Sequence, residues 1–268
     1  IGNLRDVTLR ALDVLKGADA VLCEDTRVTS RLFAAYGIDR PLVPYHDHNA
    51  RKVLPRILDR LRDGQVLALV SDAGTPLVSD PGYRLVSEVV ENGIPVTPIP
   101  GASAMLAALA VAGLPTDRFL FAGFLPDKPG ARKRALEEVA DVGATLVFYE
   151  SPRRLAASLT DMAATLGRRK ASVCRELTKL YEEARRGTLD DLAQHYKEAG
   201  APRGEIVVVV SPPAEAEEPV QDVDALLRAA LEETSLKDAA ARVARLTGVA
   251  KREVYNRALE LAGKGKID

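Results

Sequence analysis

Val66-Leu67-Ala68-Leu69-Val70-Ser71-Asp72-Ala73-Gly74-Thr75-Pro76 runs from an unbroken apolar stretch directly into a glycine turn. Asp63-Gly64 closes whatever precedes it, so residues 66–70 read as a buried strand with a loop at its carboxyl end. Residues 83–91 have helical character. After Asn92-Gly93, residues 94–99 read as a second strand, with Pro95 and Pro98 placing it at an edge or a strand end. Strand, helix and strand predict parallel pairing through a right-handed crossover. Upstream, residues 20–23 are expected as a short strand, with helices over 7–15 and 52–61. Leu54, Ile57, Leu58 and Leu61 give the second helix its apolar face, and Pro55 is acceptable in its first turn.

A second α/β set follows. Strands are expected over 119–124, 145–149, 171–174 and 206–210, with helices over 131–140 and 152–166. Gly113 and Pro115 mark the boundary. The expected division is an α/β lobe at 1–115, a second at 116–212, a Pro/Ala/Glu linker at 213–221 and a helical tail at 222–268. In the tail Ser235 is an N-cap. Ala239, Ala240, Val243, Ala244 and Leu246 form one apolar face, Thr247-Gly248-Val249 a turn, and Val254, Ala258 and Leu261 the inward face of the next helix. That pattern fits a helix-turn-helix or a packing pair of helices.

Composition narrows the classes. No apolar run reaches the roughly 18–20 residues that cross a bilayer, so no membrane association is expected. Cys23 and Cys174 are isolated in apolar stretches, which suits reduced core thiols in a cytoplasmic protein rather than a disulfide framework or zinc site. The net charge of −1 does not favour nucleic acid. The tail does so mildly: eight cations (237, 242, 245, 251, 252, 257, 264, 266) face four acids (238, 253, 260, 268). No phosphate-loop or Gly-x-Gly-x-x-Gly signature occurs, which argues against an ATPase and a dinucleotide-binding Rossmann domain. The loops at 71–82 and 98–104 suit a nucleotide-like cofactor gripped by backbone groups and a helix start.

Eight motifs occur in order along the chain. They are Ile-Gly-Asn-Leu (1–4), Glu-Asp-Thr-Arg (24–27), Tyr-His-Asp-His-Asn (45–49), Ser-Asp-Ala-Gly-Thr-Pro (71–76), Ser-Asp-Pro-Gly (79–82), Pro-Gly-Ala-Ser-Ala (100–104), Phe-Tyr-Glu-Ser-Pro-Arg-Arg (148–154) and Arg-Glu-Leu-Thr-Lys-Leu-Tyr-Glu-Glu (175–183). Together they resemble the ribosomal RNA small subunit methyltransferase I family of the tetrapyrrole-methylase (class III) superfamily. The resemblance implies a two-lobed α/β fold with a helical extension and S-adenosylmethionine folded between the lobes. It further implies 2'-O-methylation of a decoding-centre cytidine in 16S rRNA, by a homodimer acting on the assembled small subunit. It also implies a strand ending in Thr-Pro ahead of Ile1, central to the first sheet; a true deletion of that strand is expected to impair folding and activity. Ala102 stands where the family commonly has proline.

Carried onto this chain, the resemblance nominates Ser71, Asp72, Gly74, Pro76, Ala102, Ser103, Phe124, Leu125, Tyr149, Glu150, Gly204, Glu205 and Ile206 as cofactor contacts. Glu24, Asp25 and Arg27 are candidates for the chemistry, with either carboxylate as base and Arg27 on a phosphate; a local ion pair or helix cap is the plainer reading. His46 and His48, with Asn49, are candidates for RNA contact, since a third histidine close in sequence for a metal is lacking. Arg153, Lys179 and, in the tail, Arg252 are candidates for phosphate, with Arg154 on a solvated face. Two other readings stand: a tetrapyrrole C-methyltransferase of the same superfamily, and a non-catalytic RNA- or DNA-binding protein. The first would not need a basic tail; the second leaves the pocket motifs unexplained.

Overall fold

A computed structural model describes residues 1–214 and 222–264. The chain forms two compact units, Ile1–Pro213 and Ala214–Asp268.

The first unit begins with a parallel sheet. Thr8 caps α1 (Leu9–Gly17) by accepting from Ala11 N–H, and β1 (Ala20–Cys23) follows, buried along its whole length. Asp25 caps α2 (Thr26–Tyr36), which ends on Gly37 at φ 58°, a left-handed position that glycine adopts without a Cβ clash. Then come β2 (Leu42–Pro44), α3 (Ala50–Arg62), β3 (Leu67–Val70) and α4 (Tyr83–Glu91). The strand order is β2-β1-β3, and both neighbours run parallel to β1. Alternation along the strands divides the core. Leu22, Leu67 and Leu69 face α3 and α4, while Val21, Ala68 and Val70 face α1 and α2.

Two expectations are corrected here. Residues 94–99 form no strand, so the predicted strand–helix–strand crossover ends at α4. Pro95 and Pro98 lack the N–H groups that a ladder requires. Helix α3 starts at Ala50, two residues earlier than expected, so Pro55 lies in the second turn and one helical hydrogen bond is missing.

Helix α5 (Ala104–Ala112) leads to a mixed sheet. Its elements are β4 (Phe119–Phe124), α6 (Pro129–Glu137), β5 (Thr145–Glu150), α7 (Leu155–Leu166), β6 (Lys170–Arg175), β7 (Glu183–Thr188), α8 (Leu189–Ala199) and β8 (Ile206–Val210). The order is β4-β5-β8-β6-β7. β4 and β5 are parallel; β8 is antiparallel to β5 and β6, and β7 to β6. One face packs Leu146, Phe148, Val173, Val208 and Val210 against α6, α7 and α8. The other packs Val147, Cys174, Val207 and Val209 against α5. Cys23 and Cys174 are free and buried.

The second unit packs three helices, α9 (Val223–Glu233), α10 (Leu236–Thr247) and α11 (Lys251–Lys264), around Leu227, Ala240, Val243, Val254 and Ala258. Ser235 caps α10 and Gly248 ends it at φ 69°. Leu246, expected inside, is 57% exposed. It lies beyond the seam that Ala239, Ala240 and Val243 form. The expected linker lies largely outside the described residues, as do the last four residues of the tail. Among the described residues no helix is long and apolar enough to cross a membrane.

Candidate active site

Three parallel strands deliver their carboxyl ends to one place. Beyond β1 the chain emerges as Glu24-Asp25. The Asp25 carboxylate accepts from Arg27 N–H at 2.8 Å, capping α2, and also holds the Arg27 guanidinium at 2.6 Å. These bonds, first from the Arg27 side chain and then from its backbone N–H, lower the Asp25 carboxyl to about 2. Beyond β2 lies the turn 46–49, closed by Asn49: its Oδ1 accepts from His46 N–H and its Nδ2 donates to the Pro44 carbonyl, both at 3.0 Å. Beyond β3, Asp72 Oδ1 accepts from Asp25 N–H at 3.0 Å.

Together these ends wall a cavity of about 430 Å³ that includes Glu24, Asp25, Arg27, His46, His48 and Asp72. Within it Glu24 differs from Asp25. Burial raises its carboxyl above the usual range, and the neighbouring carboxylates of Asp72 and Asp47 add to this. No ion pair neutralises Glu24 among the described residues, which leaves a carboxylate that holds a proton more readily than Asp25. The His46 and His48 rings meet edge-on, 5.9 Å apart. No cluster of three His, Cys, Asp or Glu suited to a metal occurs among the described residues.

A second cavity, about 410 Å³, lies between the loop after β3 and the strand ends of the mixed sheet. Its walls bring together Asp72, Gly74, Ser103, Phe124, Tyr149, Glu150, Gly204, Glu205 and Ile206 from the sequence-derived set. Tyr149 packs edge-on against Phe121 and Phe124, with ring centres 4.8 and 5.5 Å away. Ser103 caps α5. Asp72 lines both cavities.

Glu150, on the wall of the second cavity, is also tied into the fold. Its side chain is fully buried, within 3.0 Å of Arg154 Nε. It also accepts from the Ser151 N–H at 2.7 Å and from the Ser158 hydroxyl. Arg154 donates onward to the Leu125 carbonyl and pairs with Asp127, so it belongs to a network tying β5 to the segment after β4, not to a solvated face.

Four cofactor candidates lie off the cavity walls. Ser71 donates to the Ala73 carbonyl at 3.2 Å, shaping the turn. Pro76 and Ala102 adjoin the lining residues Thr75 and Ser103 along the chain, and Leu125 is in the core of the mixed sheet. Arg153 is exposed, as is Arg252 in the second unit. Lys179 binds Glu176 and Glu205, each at 2.9 Å. Its chain covers Gly2 so closely that a Cβ there would sit 2.3 Å from Lys179 Cε. The structure adds Asp80, half-buried in the second cavity and pushed up to about 6 by burial and then by the Glu24 carboxylate. Its Ser-Asp-Pro-Gly turn was visible in the sequence, but nothing there told which side chain would face inward. Cys174 reads as core and is core; that it also forms cavity wall follows only from the tertiary fold.

Residues 1–193 match the family Tetrapyrrole (Corrin/Porphyrin) Methylases, and residues 217–262 match the RsmI C-terminal HTH domain. The chain is 56% identical to a Ribosomal RNA small subunit methyltransferase I of Mesorhizobium japonicum, over 97% of this chain and 89% of that one. It is 46% identical to the protein of the same name from Halalkalibacterium halodurans, over 96% and 91%. Among solved structures, uroporphyrin-III C-methyltransferase from Thermus thermophilus, complexed with S-adenosylhomocysteine, aligns with a TM-score of 0.51 at 22% identity, covering 76% of this chain and 91% of that one.

Proposed function

The chain belongs to the ribosomal RNA small subunit methyltransferase I family, within the tetrapyrrole methylases, and from that premise we propose that it transfers a methyl group from S-adenosylmethionine to small-subunit ribosomal RNA. The proposed acceptor is the ribose 2'-hydroxyl of a decoding-centre cytidine in 16S rRNA, and the proposed working form is a cytoplasmic homodimer acting on the assembled subunit. One observation supports this arrangement above others: Asp72 is common to both cavities. A donor in the second and an acceptor in the first meet at that residue.

The second cavity suits the cofactor. Phe124 and Tyr149 offer aromatic surface for an adenine, and Asp72, Asp80 and Glu205 offer carboxylates to a cationic amino-acid end. Gly74 and Gly204 line it too, Gly74 with room where a side chain would stand, Gly204 with that space taken by Glu176. Bound there, S-adenosylmethionine supplies an electrophilic methyl group. The remaining work is done by the protein: the ribose oxygen must be held about 3 Å from that carbon, in line, and its proton must be accepted. Glu24 takes the proton, because its carboxyl is raised and unpaired while Asp25 is committed to the cap of α2. Arg27 keeps Nη1 directed away from Asp25 and its side chain is 85% exposed, which suits the acceptor's phosphate.

The test is transfer of labelled methyl to purified small subunits, naked 16S rRNA and a tetrapyrrole precursor. Label on one ribose 2'-oxygen of the subunit RNA is expected. Label on the tetrapyrrole, or cofactor binding without label on RNA, overturns the reading.

A further inference from the structure

Helix α11 is divided lengthwise. Val254 and Ala258 are buried and face α9 and α10. On one side of that seam lie Glu253, Glu260 and Arg257, whose guanidinium is taken by Asp224 and Glu260. On the other side, at helical spacing, lie Lys251, Arg252, Tyr255, Asn256 and Leu259, all exposed. That strip holds no acid, and among the described residues neither cation on it enters an ion pair. Tyr255 is 38% and Leu259 49% exposed, so an aromatic ring and an aliphatic chain stand in water between two free cations and an amide.

Each group has one chemical use in common with the others. Free Lys and Arg neutralise phosphates. An exposed tyrosine ring stacks on a base only where the base is unpaired. Asn presents a donor and an acceptor to a base edge. A duplex hides its bases from stacking, and an acidic protein surface would leave Tyr255 and Asn256 without a matched partner.

We propose that the Lys251–Arg252–Tyr255–Asn256 face of α11 binds a single-stranded segment of ribosomal RNA, with Tyr255 stacked on an unpaired base and the two cations on flanking phosphates. This deepens the proposed function and rests on it. The face is a second point of RNA attachment, on residues other than those that wall the cavities.

The experiment uses the full chain and a fluorescein-labelled single-stranded RNA, with an RNA duplex and a DNA duplex of equal length alongside. Lys251→Ala/Arg252→Ala is expected to weaken single-strand binding about tenfold and to reduce the slope of log affinity against log salt by roughly 1.4, two phosphates' worth. Tyr255→Ala is expected to weaken it about tenfold with the salt slope unchanged, and Tyr255→Phe to restore it. Arg228→Ala, which removes an exposed cation from α9, is expected to change binding less than twofold. All variants should bind the cofactor as the wild type does. The proposal is overturned if Arg228→Ala loses as much affinity as Lys251→Ala/Arg252→Ala, if Tyr255→Ala loses none, or if the full chain prefers either duplex. Methyl transfer by the wild type to small subunits is measured in parallel. Its absence defeats the functional reading, whereas normal transfer and binding by every face variant defeats only this surface.

Discussion

Glu24 follows β1 and Glu150 ends β5, so each stands at the carboxyl end of a strand with a neighbour on both sides. Glu150 is wholly withdrawn from solvent, with Arg154, Ser151 and Ser158 satisfying its oxygens. Glu24 is only partly buried and has carboxylates, not a guanidinium, as its principal neighbours. A buried carboxylate with a cation and two hydrogen bonds is held in one place, which suits architecture. A carboxylate beside other carboxylates is easily protonated, which suits proton transfer. The difference lies in what each strand end faces: α7 and the segment leading into it supply the partners of Glu150, while the parallel ends of β2 and β3 crowd acids around Glu24.

The largest expected effect separates the two on activity. Glu24→Gln should lower methyl transfer by about 10²–10⁴-fold while changing stability by no more than about 0.5 kcal/mol, read by single-turnover kinetics and urea unfolding. Glu150→Ala should do the reverse of the second half: it leaves Arg154 with Asp127 and the Leu125 carbonyl only, empties the space beside Ser158 and costs about 3 kcal/mol of stability, seen as a lower urea midpoint. Equal stability losses at the two positions would dissolve the contrast.

Asp80 offers a pH-dependent check on the same acidic region. Its carboxyl in the folded state is raised from 3.8 to about 6, so the fold favours the protonated form. The stability this contributes is fully present below about pH 4 and is lost as the pH rises through about 6. Asp80→Asn should flatten that part of the stability profile, measured by denaturation midpoints across the window. The smallest effect is expected at Asp25→Asn. Asparagine caps helices about as well as aspartate, so transfer should stay within about twofold; a large loss would move the proton acceptor from Glu24 to Asp25.

Much of this was legible in the residues. Tyr83–Glu91 is the helix that its pattern predicts, and the apolar runs at β1, β3, β5 and β8 are strands, too short for helices and bounded by polar or turn residues. β3, expected to be buried, is only half-buried, because it is an edge of its sheet. β7 escaped notice because Glu183-Ala184-Arg185-Arg186-Gly187-Thr188 is an edge strand with charged side chains and no hydrophobic alternation. Helix α8 escaped with it, although Thr188 and Asp191 form a capping box. Residues 94–99 misled because their apolar content outweighed their prolines. At the site, loops announced themselves by glycine and proline, but partners did not. That Lys179 is held by Glu176 and Glu205 depends on residues up to 26 positions away, and that Glu150 is enclosed depends on Ser158 one helix further on.

Asp72 lines both cavities, and in the proposed transfer donor and acceptor meet there. Asp72→Asn keeps an oxygen to accept from Asp25 N–H, so it tests the charge rather than the turn. Cofactor affinity by titration calorimetry and the single-turnover rate at saturating cofactor and small subunits should be measured on the same preparation. The account predicts a rate lowered by about tenfold or more with the cofactor Kd changed by less than about threefold, the mark of an interaction made at the transfer step. A weakened Kd with an unchanged saturated rate would make Asp72 a cofactor anchor alone and contradict it.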